Sequence, residues 1–423
     1  MNSPGLAVYR VLAGLLAPWM RRRLQRDVFA DPVLRARQGE RDGVVPAGAG
    51  ELWLHAASLG EVAAAMPLID ALLRVDAARR IVISTVTATG AARVLERFGT
   101  EPRVRHLFAP LDTPGRVCRW LDATRPVGLL LVETELWPEL LAQCGARGVP
   151  VAMVSARLSA RAFARYRRVR GLFRPVLTVP DPVLCQDETV LARFAELGVD
   201  RSRLAVTGNL KRAVLEAPDF APSAHLSNAL HSRPAWLAGS VHPAEAGLLA
   251  AAHRSLIEAL PGALLLVVPR HPGRAAAVAA AFQQAGLTVT DADESDVGDV
   301  LLCSGTGLLA GLYRHLAVAL VGGSLAPGPG GHNLLEPAVA ACAVLTGPHL
   351  DHQREAQTLL QANDALIEVN TAPELAARLR ELLEQPERAR EYGRRAQSAV
   401  TKDAQQVLET TLAALDPWLA RFG

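Results

Sequence analysis

The chain has 423 residues, 50% of them hydrophobic and 21% charged, with a formal net charge of +3. That is too long for one comfortable core and too apolar for a disordered chain, so two folded domains are expected. The charge balance is too weak for a nucleic-acid binder, and no zinc finger, RNA-binding signature or long basic run is present.

The first distinctive stretch is YRVLAGLLAPWMRRRLQR, which carries Arg10, Arg21, Arg22, Arg23 and Arg26 and no acid. Its apolar part is shorter than the roughly 20 residues of a bilayer span. Its triple Arg follows the apolar run, the reverse of a secretory signal. Residues 1–45 are therefore read as a basic amphipathic segment that lies on an anionic membrane surface. The competing reading is a short helix packed on the core with a solvated Arg end.

Short apolar runs then alternate with helical patterns. Strands are expected at 51–55, 80–85, 105–110, 128–133, 150–155 and 204–209, with helical stretches such as 61–74 and 90–98 between them. The pattern pauses over 210–234, which holds three prolines, and resumes at 235–240, 263–271, 299–303, 318–324 and 343–348. From about 372 onward the pattern is helical. Apolar strands alternating with helices mean parallel sheets covered on both faces. The expected fold class is α/β: two Rossmann-like doubly wound domains, at 46–212 and 234–423, joined by a linker at 213–233.

Ligands of open parallel sheets bind beyond the carboxyl ends of the strands, and the residues of interest follow strands in both halves. In HAASLGEVAAAM, 55–66, Ser58 and Glu61 fit the Ser-x-x-Glu capping box. A pure cap has no use for Gly60, which costs about 0.5–1 kcal/mol in a first turn. Glu61 is thus a cap, a catalyst, or both. In VETELWPEL, 132–140, Glu133 and Glu135 either stabilise a helix dipole or face a ligand. Lys211 in VTGNLKR is one of two lysines against 43 arginines. A cation there meets a phosphate or a sugar carboxylate, or is a solvated linker residue. Arg270 in VVPRHPGR sits between two prolines at a strand end, which suits phosphate binding or a plain surface Arg. The richest segment is VGGSLAPGPGGHNLLEPAVAA, 321–341, a strand entering a glycine loop and then a helix. Pro337 fits the first helical position, which leaves Glu336 outside the helix and free to accept from ribose hydroxyls. CSGTGLLAGLY, 303–313, is a weaker loop of the same kind. DADESD, 291–296, resembles a metal-binding Asp-x-Asp but reads as a solvated loop. No P-loop or G-x-G-x-x-G is present. Cys118, Cys144, Cys185, Cys303 and Cys342 lack metal-ligand spacing and read as buried free thiols in a reducing compartment.

Taken together, HAASLGE (55–61), TVTATG (85–90), APLD (109–112), ETELWPEL (133–140), SARLSAR (155–161), VTGNLK (206–211), VPRHPGR (268–274), VGGSLAPGPGGHNLLEP (321–337) and GPH (347–349) resemble the 3-deoxy-D-manno-octulosonic acid (Kdo) transferases of lipopolysaccharide synthesis. The resemblance is collinear over most of the chain. It implies the glycosyltransferase B fold, a CMP-Kdo donor, a lipid A precursor of the lipid IVA type as acceptor, inversion at the anomeric centre, and no bound metal or other cofactor. It implies work at the cytoplasmic face of the bacterial inner membrane. It maps the catalytic base to Glu61 and transition-state stabilisation to Glu133 and Lys211, with Ser58 and Gly60 supporting the acceptor side. CMP binding maps to Pro269 and Arg270, to Thr306, Gly307 and Leu308, and to Asn333, Leu334, Leu335 and Glu336. The sequence departs from the pattern at Leu308, where the family usually has Glu, at Leu334 within GGHNLLEP, and at SVHPAE (240–245). The alternatives are another two-domain sugar-nucleotide enzyme, either a different glycosyltransferase or an epimerase, and a non-catalytic member that holds the lipid acceptor.

Overall fold

The computed structural model describes residues 3–27, 31–213, 220–292, 297–305 and 307–422. The chain divides into two compact units, Met1–Val214 with Ala404–Gly423, and Leu215–Asp403.

The first unit is built on seven parallel strands: β1 (Leu52–His55), β2 (Ile81–Thr85), β3 (Val104–Phe108), β4 (Gly128–Val132), β5 (Val151–Ala156), β6 (Pro180–Cys185) and β7 (Leu204–Val206), in the order β3-β2-β1-β4-β5-β6-β7. Every residue of β1, β2, β4 and β5 is buried. Strands covered by helices on both faces must be apolar throughout, which is why these runs do not alternate. The strand order reverses between β1 and β4, so the loops after those two strands flank the crevice where doubly wound sheets take ligands. Glu133 sits on the second of those loops, and Glu61 lies in the first turn of the helix that the first one enters.

The second unit repeats the plan with β8 (Ala235–Val241), β9 (Leu264–Pro269), β10 (Val289–Asp291), β11 (Val300–Leu302), β12 (Val318–Val321), β13 (Ala343–Thr346) and β14 (Leu366–Glu368), in the order β10-β11-β9-β8-β12-β13-β14. Its order reverses between β8 and β12. β8 passes through His242 into a helix, Pro243–Ala259, that carries Glu245 in its first turn, and the glycine-rich run follows β12.

Three strands were not legible in the sequence. β6 contains Pro180 and Pro182, residues that cannot donate to a ladder. The sheet accommodates them by register shifts against β5, while β7 pairs only with Val183, Leu184 and Cys185 beyond the prolines. β10 and β14 have three residues each, too few to show a period.

The last long helix, Pro386–Leu419, leads the chain back to the first unit. Val407, Leu415 and Trp418 join the core around Leu54, Ile83 and Leu130, whereas order along the chain alone assigns 404–423 to the second domain. Gly128 makes room for them: a side chain there would meet Trp418 and Phe422 at about 3 Å. Four of the five cysteines are buried free thiols, but Cys118 is only half-buried, beside Arg147 and Asp122.

The N-terminal helix, Pro4–Asp27, is fixed to the first unit by polar contacts near its start. Tyr9 Oη donates to Asp112 Oδ2 at 2.6 Å, and Arg10 Nε donates to the fully buried Glu139 at 2.6 Å. Leu6 and Ala17 are buried, while Val8, Val11, Leu12, Leu15, Leu16 and Trp19 are each more than half exposed. Among the described residues no helix is long and apolar enough to cross a membrane.

Candidate active site

In the first unit, β1 ends at His55 and the chain turns into the helix Leu59–Val75 with Ser58 at its N-cap. The reciprocal capping box does not form, because the Ser58 side chain accepts no backbone N–H. Instead Ser58 Oγ donates to Glu61 Oε1 at 2.9 Å, and the Ala57 amide donates to Oε2 at 2.6 Å. The Ala57 carbonyl in turn accepts from the amides of Val86 and Thr87, so the loop after β2 pins the turn that presents Glu61.

Burial raises the Glu61 pKa, the negative charge of Glu135 raises it further, and the bonds from Ser58 and Ala57 and the proximity of His55 oppose the rise. Desolvation at this half-buried site is the largest of these effects. Gly60 lies open: a side chain there would meet nothing within 4 Å.

Glu133 directly follows β4 with φ +59°, a left-handed conformation uncommon for a non-glycine residue. Its amide donates to Val154 O, and its carboxylate meets Lys211 Nζ at 2.5 Å. Lys211 is held from the other side, since its amide donates to Asn209 Oδ1 and that of Leu210 to Ser155 Oγ. Ser155, at the end of β5, is itself left-handed at φ +52°. Two such residues at the ends of neighbouring strands are backbone strain at a ligand-facing edge.

Glu135 accepts from Trp137 Nε1 at 2.6 Å and lies 3.8 Å from His55 Nε2. His55 is fully buried, and Ser84 Oγ, which accepts from Trp53 Nε1, is 2.8 Å from its Nδ1. An indole only donates, so the assignment that satisfies all three groups turns the serine hydroxyl toward Nδ1. His55 Nε2 then faces Glu135. The first unit thus gathers Ser58, Gly60, Glu61, Glu133 and Lys211, with Glu135 and His55 behind them.

In the second unit, Pro269 is the buried last residue of β9, and the exposed Arg270 follows with its amide bonded to Val241 O. Thr306 lies outside the described residues. Gly307, at φ +82°, caps the five-residue helix Leu308–Leu312, and Leu308 packs on the apolar cluster of Leu312 and Tyr313. Leu334 is wholly buried, so its side chain belongs to the core and only its backbone is available to a ligand. Leu335 is partly buried. Asn333 Oδ1 accepts from the Leu335 amide and its Nδ2 donates to Glu336 Oε1 at 3.1 Å.

Glu336 is inside the helix Leu335–Val339, not ahead of it, and Pro337 takes the third helical position. The first-turn N–H groups have no intrahelical partner, so a proline is tolerated there as well as at the first position. Burial raises the Glu336 pKa, while Asn333 and Arg270 counter it. Near Arg270 stand three histidines. His242 and His332 have their rings stacked and their Nε2 atoms 2.8 Å apart, and His271 packs edge-on to His242. Burial, with positive charge from His242 and Arg270, lowers the His332 pKa to about 4.

Glu245 organises this end. Its buried carboxylate accepts from the amides of His242, Gly323, Ser324 and Leu325 at 2.7–3.1 Å. In the glycine loop, the amides of Gly323, Ser324 and Leu325 are thus committed to this internal carboxylate. Among the described residues no group of three or more His, Cys, Asp or Glu side chains is placed to hold a metal ion.

The family model described as 3-deoxy-D-manno-octulosonic-acid transferase (kdotransferase) matches residues 34–214. The 3-deoxy-D-manno-octulosonic acid transferase of Bordetella pertussis is 34% identical over 430 residues, 97% of each chain. That of Haemophilus influenzae is 32% identical over 376 residues, 88% of this chain and 87% of the relative. The chain belongs to the 3-deoxy-D-manno-octulosonic acid transferase family. It is therefore a glycosyltransferase of the Kdo-transferring class. A UDP-GlcNAc 2-epimerase from Neisseria meningitidis, solved with UDP-GlcNAc, is similar over 86% of this chain and all of its own, with a TM-score of 0.54 and 12% identity. That likeness is one of fold, the two-unit architecture of glycosyltransferase B proteins.

Within this Kdo-transferase chain, sequence reasoning missed the work of Ser155, Asn209 and Glu245. Ser155 and Asn209 lie inside the quoted motifs, so the motifs themselves held the signal. Glu245 was noted only as the end of SVHPAE, and no local spacing ties it to amides about 80 residues later.

Proposed function

We propose that this enzyme moves Kdo from CMP-Kdo to a sugar hydroxyl of a lipid A precursor of the lipid IVA type, with inversion at the anomeric carbon and Glu61 as general base. The observation that carries the reading is the state of Glu61. A carboxylate fixed by Ser58 and Ala57 and raised in pKa by burial and Glu135 is a stronger base than a solvated glutamate. A sugar hydroxyl is a poor nucleophile and needs such a group to take its proton during attack.

The remaining assignments follow from charge. The anomeric carbon gains positive character as CMP departs, and Glu133 offers a carboxylate to that centre. Lys211 neutralises Glu133 in the ligand-free state and provides a cation for the phosphate or the Kdo carboxylate. In the second unit, Arg270 and the Asn333–Glu336 pair form the CMP site, Arg270 meeting phosphate and Glu336 accepting from ribose hydroxyls. Backbone groups of 306–308 and 333–335 complete it.

A lipid acceptor fits the exposed apolar stripe of the N-terminal helix, followed by Arg21, Arg22, Arg23 and Arg26. These features support peripheral attachment to an anionic membrane surface, at the cytoplasmic face of the inner membrane. The test is mass spectrometry of the product made from CMP-Kdo and a lipid A precursor, with NMR of the new anomeric centre. Added mass equal to Kdo is expected; transfer only from UDP-sugars overturns the donor, and a retained anomeric configuration overturns the direct displacement.

A further inference from the structure

The N-terminal helix is fastened to the first unit at Tyr9 and Arg10, yet beneath its later turns lies a cavity of about 540 Å³. Protein interiors are normally packed to crystal density, and a void of this size lies within the roughly 300–1,000 Å³ of ligand sites. The walls come from Leu12, Leu16 and Met20 on the helix and from Leu111, Trp137 and Phe173 opposite. Its polar groups are already engaged: Tyr9 donates to Asp112, Asp112 also accepts from the amides of Glu139 and Leu140, and Arg41 bonds Gln38 and Val86 O with its guanidinium over Phe108. What remains to meet an occupant is apolar surface.

Two further observations fix the kind of occupant. Leu12, Leu16 and Met20 line the cavity and are also 45–54% exposed, so the wall runs on into the surface stripe of Val8, Val11, Leu15 and Trp19. At the opposite wall, Trp137 bonds Glu135, whose charge acts on Glu61. The cavity therefore connects an apolar surface to the loop beside the base. We propose that it holds a fatty acyl chain of the lipid acceptor and so positions the acceptor sugar at Glu61; this rests on the lipid-acceptor reading above. A second hollow of about 450 Å³ shares Tyr9 and Leu12 with the first and extends the same surface.

The full-length enzyme is assayed with CMP-Kdo and acylated glucosamine disaccharides that differ only in chain length, myristoyl against decanoyl. Absence of transfer by the wild-type enzyme to any acylated disaccharide removes the acceptor reading itself. Given transfer, a larger side chain at Ala13, which lines the helix wall of the cavity, narrows it: Ala13→Phe raises KM about tenfold for the myristoyl acceptor, the effect of excluding one or two methylenes, and less for the decanoyl one. Phe173→Ala widens the opposite wall and shifts preference toward longer chains, and it carries the test alone if Ala13→Phe fails to fold. Sedimentation with phosphatidylglycerol vesicles and CMP affinity stay at wild-type values in both. An unaltered chain-length preference in both variants overturns the proposal. Reduced vesicle binding with unaltered preference assigns the cavity to a bilayer phospholipid and overturns it equally.

Discussion

Lys211 Nζ and Glu133 Oε1 lie 2.5 Å apart although their loops follow β7 and β4, strands separated by two others in the sheet. The contact is possible because Ser155 and Asn209 draw the chain after β7 back over the end of β5. The Lys211 side chain is 43% exposed and that of Glu133 13%.

The lysine end of this pair is open to solvent, whereas the Glu133 carboxylate is mostly buried. Lys211→Gln keeps a neutral donor beside the mostly buried carboxylate and is expected to lower unfolding free energy by about 1–3 kcal/mol. It should lower kcat by about a hundredfold or more, the loss of one charge-stabilising group. Urea melts and steady-state kinetics separate the two. A stability loss well beyond that figure with normal kcat assigns the pair a structural role.

The charge of Glu135 tunes Glu61. Burial and Glu135 both raise the Glu61 pKa, so the acidic limb of the kcat/KM profile should fall above the ordinary carboxylate range. Glu135→Gln removes the like charge and should move that limb to lower pH. Glu61→Gln should reduce transfer by about 10²–10⁴-fold while CMP still binds by calorimetry. For stability the sign is opposite to that of a salt-bridged acid. A raised carboxylate pKa contributes stability that is fully present below the unfolded value and is lost as pH rises through the folded one.

Gly60 offers a stability–activity opposition. With open space around it and a first-turn position, Gly60→Ala should stabilise the free enzyme by about 0.5–1 kcal/mol. If the acceptor approaches the helix start there, the same methyl raises acceptor KM. Thermal melts beside acceptor titrations read both, and a stabilised variant with normal KM shows that nothing approaches Gly60.

Glu245 should matter more than its distance from any motif suggests. Glu245→Ala strands four buried or half-buried amides, and a loss of about 3 kcal/mol is expected from orphaned donors of this kind. CMP affinity should fall with it as the loop from Gly322 to Gly331 loses its anchor. Glu245→Gln, whose amide nitrogen accepts nothing, should lie between. Chemical denaturation and calorimetry check both, and an alanine variant of normal CMP affinity limits Glu245 to the core.

The alternation of apolar runs made the two parallel sheets legible, because β1, β2, β4, β9 and β12 are buried on both faces and announce themselves. β6 was hidden by its prolines, which a register shift absorbs and no local pattern shows. Glu61, Glu133 and Lys211 stood out by position after strands and, for Lys211, by rarity. Their mutual geometry did not, since it depends on left-handed turns at Glu133 and Ser155. Pro337 misplaced Glu336 by its preference for a first helical position, although the structure uses it two residues later. The environment of Glu61, whose desolvation raises its pKa, is a property of packing that no single stretch encodes.

The return of the last helix bears on how the protein is made. Val407, Leu415 and Trp418 cover the same core as Leu54 and Leu130. On the ribosome, the core around Leu54 lacks these three side chains until the second unit, Leu215–Asp403, has been synthesised. The unit that begins first in sequence thus completes its core only after the second has been made, and a chain cut short at Asp403 leaves part of that core open to chaperones and proteases.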